Sequence, residues 1–166
     1  MSGSNSFIMA LALPVIGLGA SWAVTHHRAQ QGTDWDVPIR GYDPRDLLRG
    51  HYIAFQYDWP GLAEDADPAN FDALCIKGTA PAIASTSRAG ENTVPGQECA
   101  AIARASVYRR DGLARDIFYV PQTQAGAYES KLRDPKQQGV LRVRIRNDGL
   151  IRPLSLSFRA RPPSDR

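Results

Sequence analysis

The chain is 166 residues long, and its 43% hydrophobic and 22% charged residues are the composition of an ordinary globular protein. This length leaves room for one compact domain with a modest core, which argues against several independent domains. The net charge is only +3 and much of the arginine excess lies in residues 142–166, so no basic field is expected over the whole chain.

The first element is an apolar N-terminal segment. Residues 7–24 are all apolar or small, and no acidic or basic side chain occurs before residue 26. Such a run is near the lower limit for a helix that crosses a hydrocarbon core about 30 Å thick, and a membrane helix tolerates Pro14. The pattern therefore predicts a membrane anchor over residues 1–28, which contacts the bilayer through residues 7–24.

Two other interpretations of this segment remain open. A cleaved signal peptide would account for the small residues Ser21 and Ala23, although no Lys or Arg precedes the apolar run. A buried soluble helix is the third interpretation. The histidines and Arg28 that follow the segment weakly favour a cytoplasmic C-terminus by the positive-inside rule.

The two cysteines favour the opposite orientation. Cys75 and Cys99 lie in loop-like sequence after an export-type segment, an arrangement typical of a disulfide in an oxidising compartment. Their spacing matches neither a zinc site nor a Cys-x-x-Cys redox motif. We therefore predict a structural disulfide, with two free thiols as the alternative, in a single-pass inner-membrane protein whose domain lies on the periplasmic side.

The polar residues 29–36 are predicted to form a linker before a domain over residues 37–160. Asp43-Pro44 is typical of a helical turn with Asp43 as its N-cap. The alternation that follows, with period two, predicts a strand. One face of this strand carries Tyr52, Ala54, Gln56 and Asp58, and the other carries His51, Ile53, Phe55 and Tyr57.

The second half of the domain alternates predicted strands with one helix. Residues 77–98 are poor in hydrophobic residues and are predicted to be a long loop. The later elements are strands at 100–108 and 117–120, a helix at 123–133, a hairpin over 141–158 and a disordered tail at 161–166. We therefore expect a mainly β (α+β) fold, a small antiparallel, barrel-like sheet with one short helix.

Ionisable residues are concentrated around the predicted turn. In one interpretation they form a polar cleft in which His51 is an acid or base, oriented by Asp43 or Asp46. In the other they form a charged turn, in which Arg45 pairs locally and Arg49 faces solvent. The sequence has no nucleophile motif, phosphate loop or metal-ligand spacing, so neither cofactor nor metal is predicted.

Three arginines, Arg142, Arg144 and Arg146, alternate along the predicted hairpin. Side chains on one strand face are about 7 Å apart, so the row forms a solvated outer face or contacts the phosphates of anionic lipids. No exposed aromatic residues alternate with these arginines for base stacking, and nucleic acid is therefore not expected as a partner.

Residues 43–57 resemble the signature of the GDYXXLXY family of membrane-anchored bacterial proteins. The matching residues are Asp43, Pro44, Arg45, Leu47, Arg49, Gly50, Tyr52 and Tyr57, with Phe55 at the aliphatic position. A second similarity covers residues 118–121, Phe-Tyr-Val-Pro. The chain departs from the family at His51 and Gln122, where the family has carboxylates.

The resemblance implies a membrane-anchored, extracytoplasmic domain and partnership with a multi-span membrane protein, but no reaction. The two lost carboxylates count against a paired-carboxylate site. We therefore expect an accessory domain that binds a membrane or envelope protein through a motif cleft of Asp43, Arg45, Asp46, Arg49, His51, Tyr52 and Tyr57. The alternatives are a hydrolase-like envelope enzyme that uses His51 with Asp43 or Asp46, and a domain that contacts anionic lipid through the arginine row.

Overall fold

The computed structural model describes residues 3–41, 48–49, 52–63, 65–90, 93–96, 98–106 and 111–162. Within these ranges, only the backbone is described for residues 3–11 and 48–49. The chain divides into two compact units, Met1–Gln31 and Gly32–Arg166.

The N-terminal unit contains one α-helix, α1, Gly3–Gln30. Its large apolar side chains from Leu13 to Val24 are 52–72% exposed. No helix among the described residues is long and apolar enough to cross a membrane. The predicted transmembrane helix is therefore not supported. For residues 7–11 of the predicted span, the structure describes the backbone but not the side chains.

The second unit is mainly β, as predicted. Its elements are β1 Thr33–Gly41, β2 Leu48–Arg49, β3 Tyr52–Tyr57, β4 Ala73–Thr79, β5 Ala82–Arg88, β6 Ala101–Arg104, β7 Arg115–Tyr119, α2 Gln122–Arg133, β8 Gln137–Ile145 and β9 Ile151–Ala160. A 3-10 turn, Pro68–Asn70, lies between β3 and β4. Most strand pairs are antiparallel, and together they form an open, curled sheet.

Strand β1 is where the sheet forks. On one side it pairs with β8, from Thr33 opposite Ile145 to Ile39 opposite Gly139. On the other side its last residues pair with β3, and a parallel bridge at Asp36 joins it to β5. One arm then continues from β3 to β7 and the other from β5 through β4 to β6. The curl brings the end of β6 close to the β8–β9 turn, where the Arg104 amide donates to the Gly149 carbonyl at 2.8 Å.

The core lies on the inner face of this sheet. Alternate residues of β1, Trp35, Val37 and Ile39, are fully buried, and so are Leu141 and Val143 of β8. Because Trp35 belongs to this buried series, β1 begins at Thr33, inside the segment predicted to be a linker. The alternation of buried apolar residues thus specifies a strand here, although the residues between and before them are polar.

The prediction of a loop over residues 77–98 is wrong for residues 77–88, because β4 and β5 form an antiparallel hairpin there. Alanine, serine and threonine dominate β5, so its hydrophobicity is low although Thr86 is buried. Gly78 sits at a register shift of this hairpin with φ +139°. A Cβ at Gly78 would lie 2.5 Å from the Ala82 carbonyl oxygen, which explains the glycine.

Three local predictions are confirmed. Cys75 and Cys99 form a disulfide, buried with Ala73 and Ile102 in a small second cluster. The closing hairpin has Leu141 opposite Leu156, and its turn has Gly149 at φ +90°. The predicted helix is α2. The tail predicted to be disordered begins with Arg161, whose amide donates to the Lys136 carbonyl at 2.8 Å, and residues 163–166 lie outside the description.

Candidate functional site

Much of the predicted motif cleft lies outside the described residues, namely Asp43, Arg45, Asp46 and His51. Arg49 is described in its backbone alone, where β2 pairs with β3. The acid–base hypothesis for His51 with Asp43 or Asp46 therefore stays a prediction. The motif residues that can be placed are those of β3.

Strand β3 has the two faces that its alternation predicts. Ile53, Phe55 and Tyr57 are buried, whereas Tyr52, Ala54 and Gln56 are half-buried. Tyr52 and Tyr57 thus lie on opposite faces of the sheet. Tyr57 does not share the surface of Tyr52, although both belong to the predicted cleft.

The buried face holds Tyr57 in an aromatic stack. Its ring lies 5.1 Å from that of Phe55 and 5.2 Å from that of Trp59, centroid to centroid. Its hydroxyl donates to Asp116 Oδ2 at 3.4 Å. The Trp59 indole N–H donates to the Leu113 carbonyl at 2.6 Å. The end of the motif is therefore a set of buried aromatic rings whose polar atoms bond to β7 and the turn before it.

Strand β7 brings the second motif beside the first. The register places Tyr52 opposite Tyr119 and Ile53 opposite Phe118, and continues to Gln56 opposite Arg115. The strand at 117–120 was expected from the sequence, but nothing in its local pattern indicated β3 as its neighbour. Two segments that resemble the same family signature therefore form adjacent antiparallel strands.

The outer face of this strand pair carries a group of apolar and aromatic side chains that we call the tyrosine patch: Tyr52, Ala54, Ile117 and Tyr119. Residues directly opposite in an antiparallel pair share a face, so Tyr52 lies beside Tyr119 and Ala54 beside Ile117. The two tyrosine rings meet edge to face at 6.2 Å. Tyr119 is 70% exposed, which leaves most of its ring available to a partner.

A cavity of about 500 Å³ lies at the C-terminal end of β3, and we call it the β3-end cavity. Its described polar lining residues include Arg40, Gln56 and Asp58, and its apolar ones include Leu62 and Ala63. Arg40 Nη2 lies 2.9 Å from Asp58 Oδ1. The sequence showed both charged residues, but their approach depends on the pairing of β1 with β3.

The loop that lines the cavity is held in place by Gly61. This glycine has φ +75°, a left-handed conformation that other residues rarely adopt. A Cβ there would lie 3.0 Å from Ser85 Cβ and 3.2 Å from Ser85 Cα. The loop therefore turns tightly and rests against β5.

Two members of the arginine row, Arg142 and Arg144, pair with carboxylates of β1, whereas Arg146 pairs with Asp148 at 2.6 Å. Arg142 donates two hydrogen bonds to Asp36, at 2.8 and 2.9 Å, and Arg144 donates two to Asp34, at 2.6 and 3.0 Å. Each pair is directly opposite in the β1–β8 register. Such two-bond pairs satisfy both partners, so these guanidinium groups have less capacity for lipid phosphate than the sequence alone implies.

These pairs shift the ionisation of their members. The hydrogen bond from Arg144 is the main cause that lowers the pKa of Asp34 below its ordinary value of 3.8, against a smaller opposing effect of burial. The bond to Asp36 raises the pKa of Arg142, and the bond to Asp34 raises that of Arg144. The carboxylates were missed from the sequence because both lie in the segment predicted to be a linker.

Asp34→Asn is expected to lower the melting temperature slightly at neutral pH and to have no effect in acid. Because the folded pKa of Asp34 is depressed, its stabilisation is complete above 3.8 and is lost as the pH falls through the folded value. Melting temperatures of both proteins between about pH 2 and pH 7 measure this. In an Arg144→Gln background the pH dependence of the difference should be smaller, because Arg144 is the main cause of the lowered pKa of Asp34. A difference that persists at the lowest pH would contradict the assignment.

Within the described ranges, no group of three or more His, Cys, Asp or Glu residues is placed to hold a metal ion. The family model described as GDYXXLXY protein matches residues 14–156, which is most of the chain. No curated protein and no solved structure matches the chain.

Proposed function

Because the chain belongs to the GDYXXLXY family, we propose that it is an accessory binding domain that contacts a membrane or envelope protein through the tyrosine patch. In this proposal the N-terminal segment tethers the protein to the inner membrane, with the domain on the periplasmic side. The observation that supports the proposal is the pairing of β3 with β7, which joins both motif segments in one surface.

The outer face of this strand pair has more aromatic surface than folding requires. The inner face supplies the buried residues Ile53 and Phe55, which are sufficient to account for β3 as a core strand. Tyr119, by contrast, leaves most of its ring in water. Tyrosine is enriched in protein interfaces because it combines apolar area with a hydroxyl and has few rotatable bonds.

Two features support the proposed location. A buried disulfide between Cys75 and Cys99 fits an oxidising compartment, as is usual for exported domains. Helix α1 exposes Leu13, Ile16 and Leu18, and such a surface favours contact with lipid or with another apolar helix. A multi-span membrane protein is the partner class that fits both a tethered segment and a domain beside the bilayer.

Photo-cross-linking in native membranes tests the proposal. Tyr119→p-benzoylphenylalanine in the full chain is expected to capture one defined protein, because the side chain lies at the centre of the proposed contact. The matched control is the same substitution at Ser87, an exposed strand residue of β5 on the other arm of the sheet. The tether is tested by the amount of protein in the membrane fraction of cells that express the chain with or without residues 1–28.

A single cross-linked band at Tyr119 that is absent at Ser87 and is lost with Tyr52→Ala would support the tyrosine patch as a binding surface. Equal cross-linking at both positions, or none at Tyr119, would contradict it. If the shortened chain is recovered in the membrane fraction to the same extent as the full chain, the tether is contradicted. The cross-links still test the tyrosine patch in that case.

A further inference from the structure

We propose that the β3-end cavity binds a small zwitterion of the α-amino acid class, with the ligand carboxylate on Arg40 and its ammonium group on Asp58. This site shares no residue with the tyrosine patch and does not depend on the proposed protein partner. The inference rests on the size of the cavity, the charge pair in its lining and the character of its remaining surface.

The volume suits a small molecule. At about 500 Å³ the cavity falls within the range of roughly 300–1,000 Å³ that is usual for small-ligand sites. It lies where β3 ends and the loop anchored by Gly61 turns back against β5. Asp58 is held in position, because its amide donates to the Pro38 carbonyl at 2.9 Å.

The charge pair selects for a ligand with both charges. Arg40 and Asp58 lie 2.9 Å apart and satisfy each other. An anion that displaced Asp58 from Arg40 would leave the partly buried carboxylate without its partner. A cation would gain no contact with the Arg40 guanidinium, which is largely exposed to solvent. An unpaired carboxylate is costly when it is partly desolvated, whereas a zwitterion offers a partner to both side chains.

The side chains of Arg40 and Asp58 also differ in solvent exposure. The Arg40 side chain is 66% exposed and that of Asp58 is 26% exposed. The arginine can therefore swing towards solvent and admit a ligand while the carboxylate stays in place. Such an opening moves one long surface side chain and requires no change in the strands.

The described lining also contains small apolar side chains that an aliphatic ligand side chain can contact. Leu62, Ala63 and Ala66 line the cavity together with Trp59. The Trp59 indole N–H already bonds to the Leu113 carbonyl, and the residue is 4% exposed, so its ring offers the ligand little area. The neutral amide of Gln56 can accept or donate one further hydrogen bond to the ligand.

Calorimetric titration of the purified full chain tests the site with three matched probes. L-Leucine carries both charges, 4-methylpentanoate lacks the ammonium group and isopentylamine lacks the carboxylate. We expect saturable binding of leucine and at least about tenfold weaker binding of either single-charge analogue, the loss expected for a removed ionic contact. Leucylleucine, whose charges are separated by a peptide bond, distinguishes a free amino acid from a peptide end and should bind like the analogues.

Arg40→Gln and Asp58→Asn should each weaken leucine binding at least about tenfold. Arg146→Gln is the control, since it breaks the pair with Asp148 in the β8–β9 turn, outside the cavity lining, and should bind leucine like the unmodified protein. Circular dichroism and the melting temperature verify that each variant is folded. The proposal is overturned if leucine does not bind, if 4-methylpentanoate binds as tightly, or if Arg40→Gln binds leucine unchanged.

Discussion

Phe55→Ala is expected to lower the free energy of unfolding by about 3–5 kcal/mol, the usual cost of deleting a buried phenylalanine ring. Phe55 is 1% exposed and packs edge to face on Tyr57 at 5.1 Å. The ring belongs to the same core cluster as Ile39 and Leu141. Urea unfolding, followed by the fluorescence of the buried tryptophans, measures the loss.

Tyr52→Ala is the matched control, three residues away on the opposite face of β3. Because Tyr52 is half-buried, its substitution should cost less than about 1.5 kcal/mol. Similar losses for the two variants would contradict the assignment of faces. The comparison also separates the core role of Phe55 from the proposed binding role of Tyr52. Only the Tyr52 variant should remain folded at 37 °C and yet lose the cross-links that form from position 119.

Loss of the disulfide is the second large effect that we expect. The double variant Cys75→Ala/Cys99→Ala should be about 3 kcal/mol less stable, because the bond closes a loop with a sequence separation of 24 residues. For a domain of this size such a loss corresponds to a melting temperature lower by roughly 10 °C. Thermal unfolding of the oxidised protein and of the double variant measures it.

The unmodified protein under reducing conditions is the control for this variant. It should melt close to the double variant, because both lack the cross-link and both keep small side chains in the cluster with Ala73 and Ile102. An unchanged melting temperature in either case would show that the loop is held by packing alone. It would also weaken the case for an oxidising compartment.

The features that could be predicted from the sequence are those encoded by nearby residues. The two faces of β3 follow from alternation over six residues, and the closing hairpin follows from alternation on both sides of Asn147-Asp148-Gly149. The disulfide followed from an even number of cysteines and their context. In each case a short-range rule of periodicity, turn chemistry or cysteine pairing was enough.

The features that could not be predicted depend on residues far apart in the chain. The pairing of Tyr52 with Tyr119 and that of Asp34 with Arg144 are set by which strands become neighbours, and no local pattern encodes this. The β3-end cavity was missed for the same reason, since Arg40 and Asp58 meet only across β1 and β3. The strand β5 was missed because small polar residues such as Ser85 resemble a loop in composition.

The fork at β1 also limits how early the domain can fold as the chain emerges. Strand β1 begins directly after α1, at Thr33, yet its longest pairing is with β8 near the other end of the chain. Until β8 has emerged as well, Trp35, Val37 and Ile39 have no complete core to enter. Pairings between such distant segments form slowly and leave apolar strands exposed to aggregation. We therefore expect the nascent chain to depend on a chaperone for longer than its size suggests.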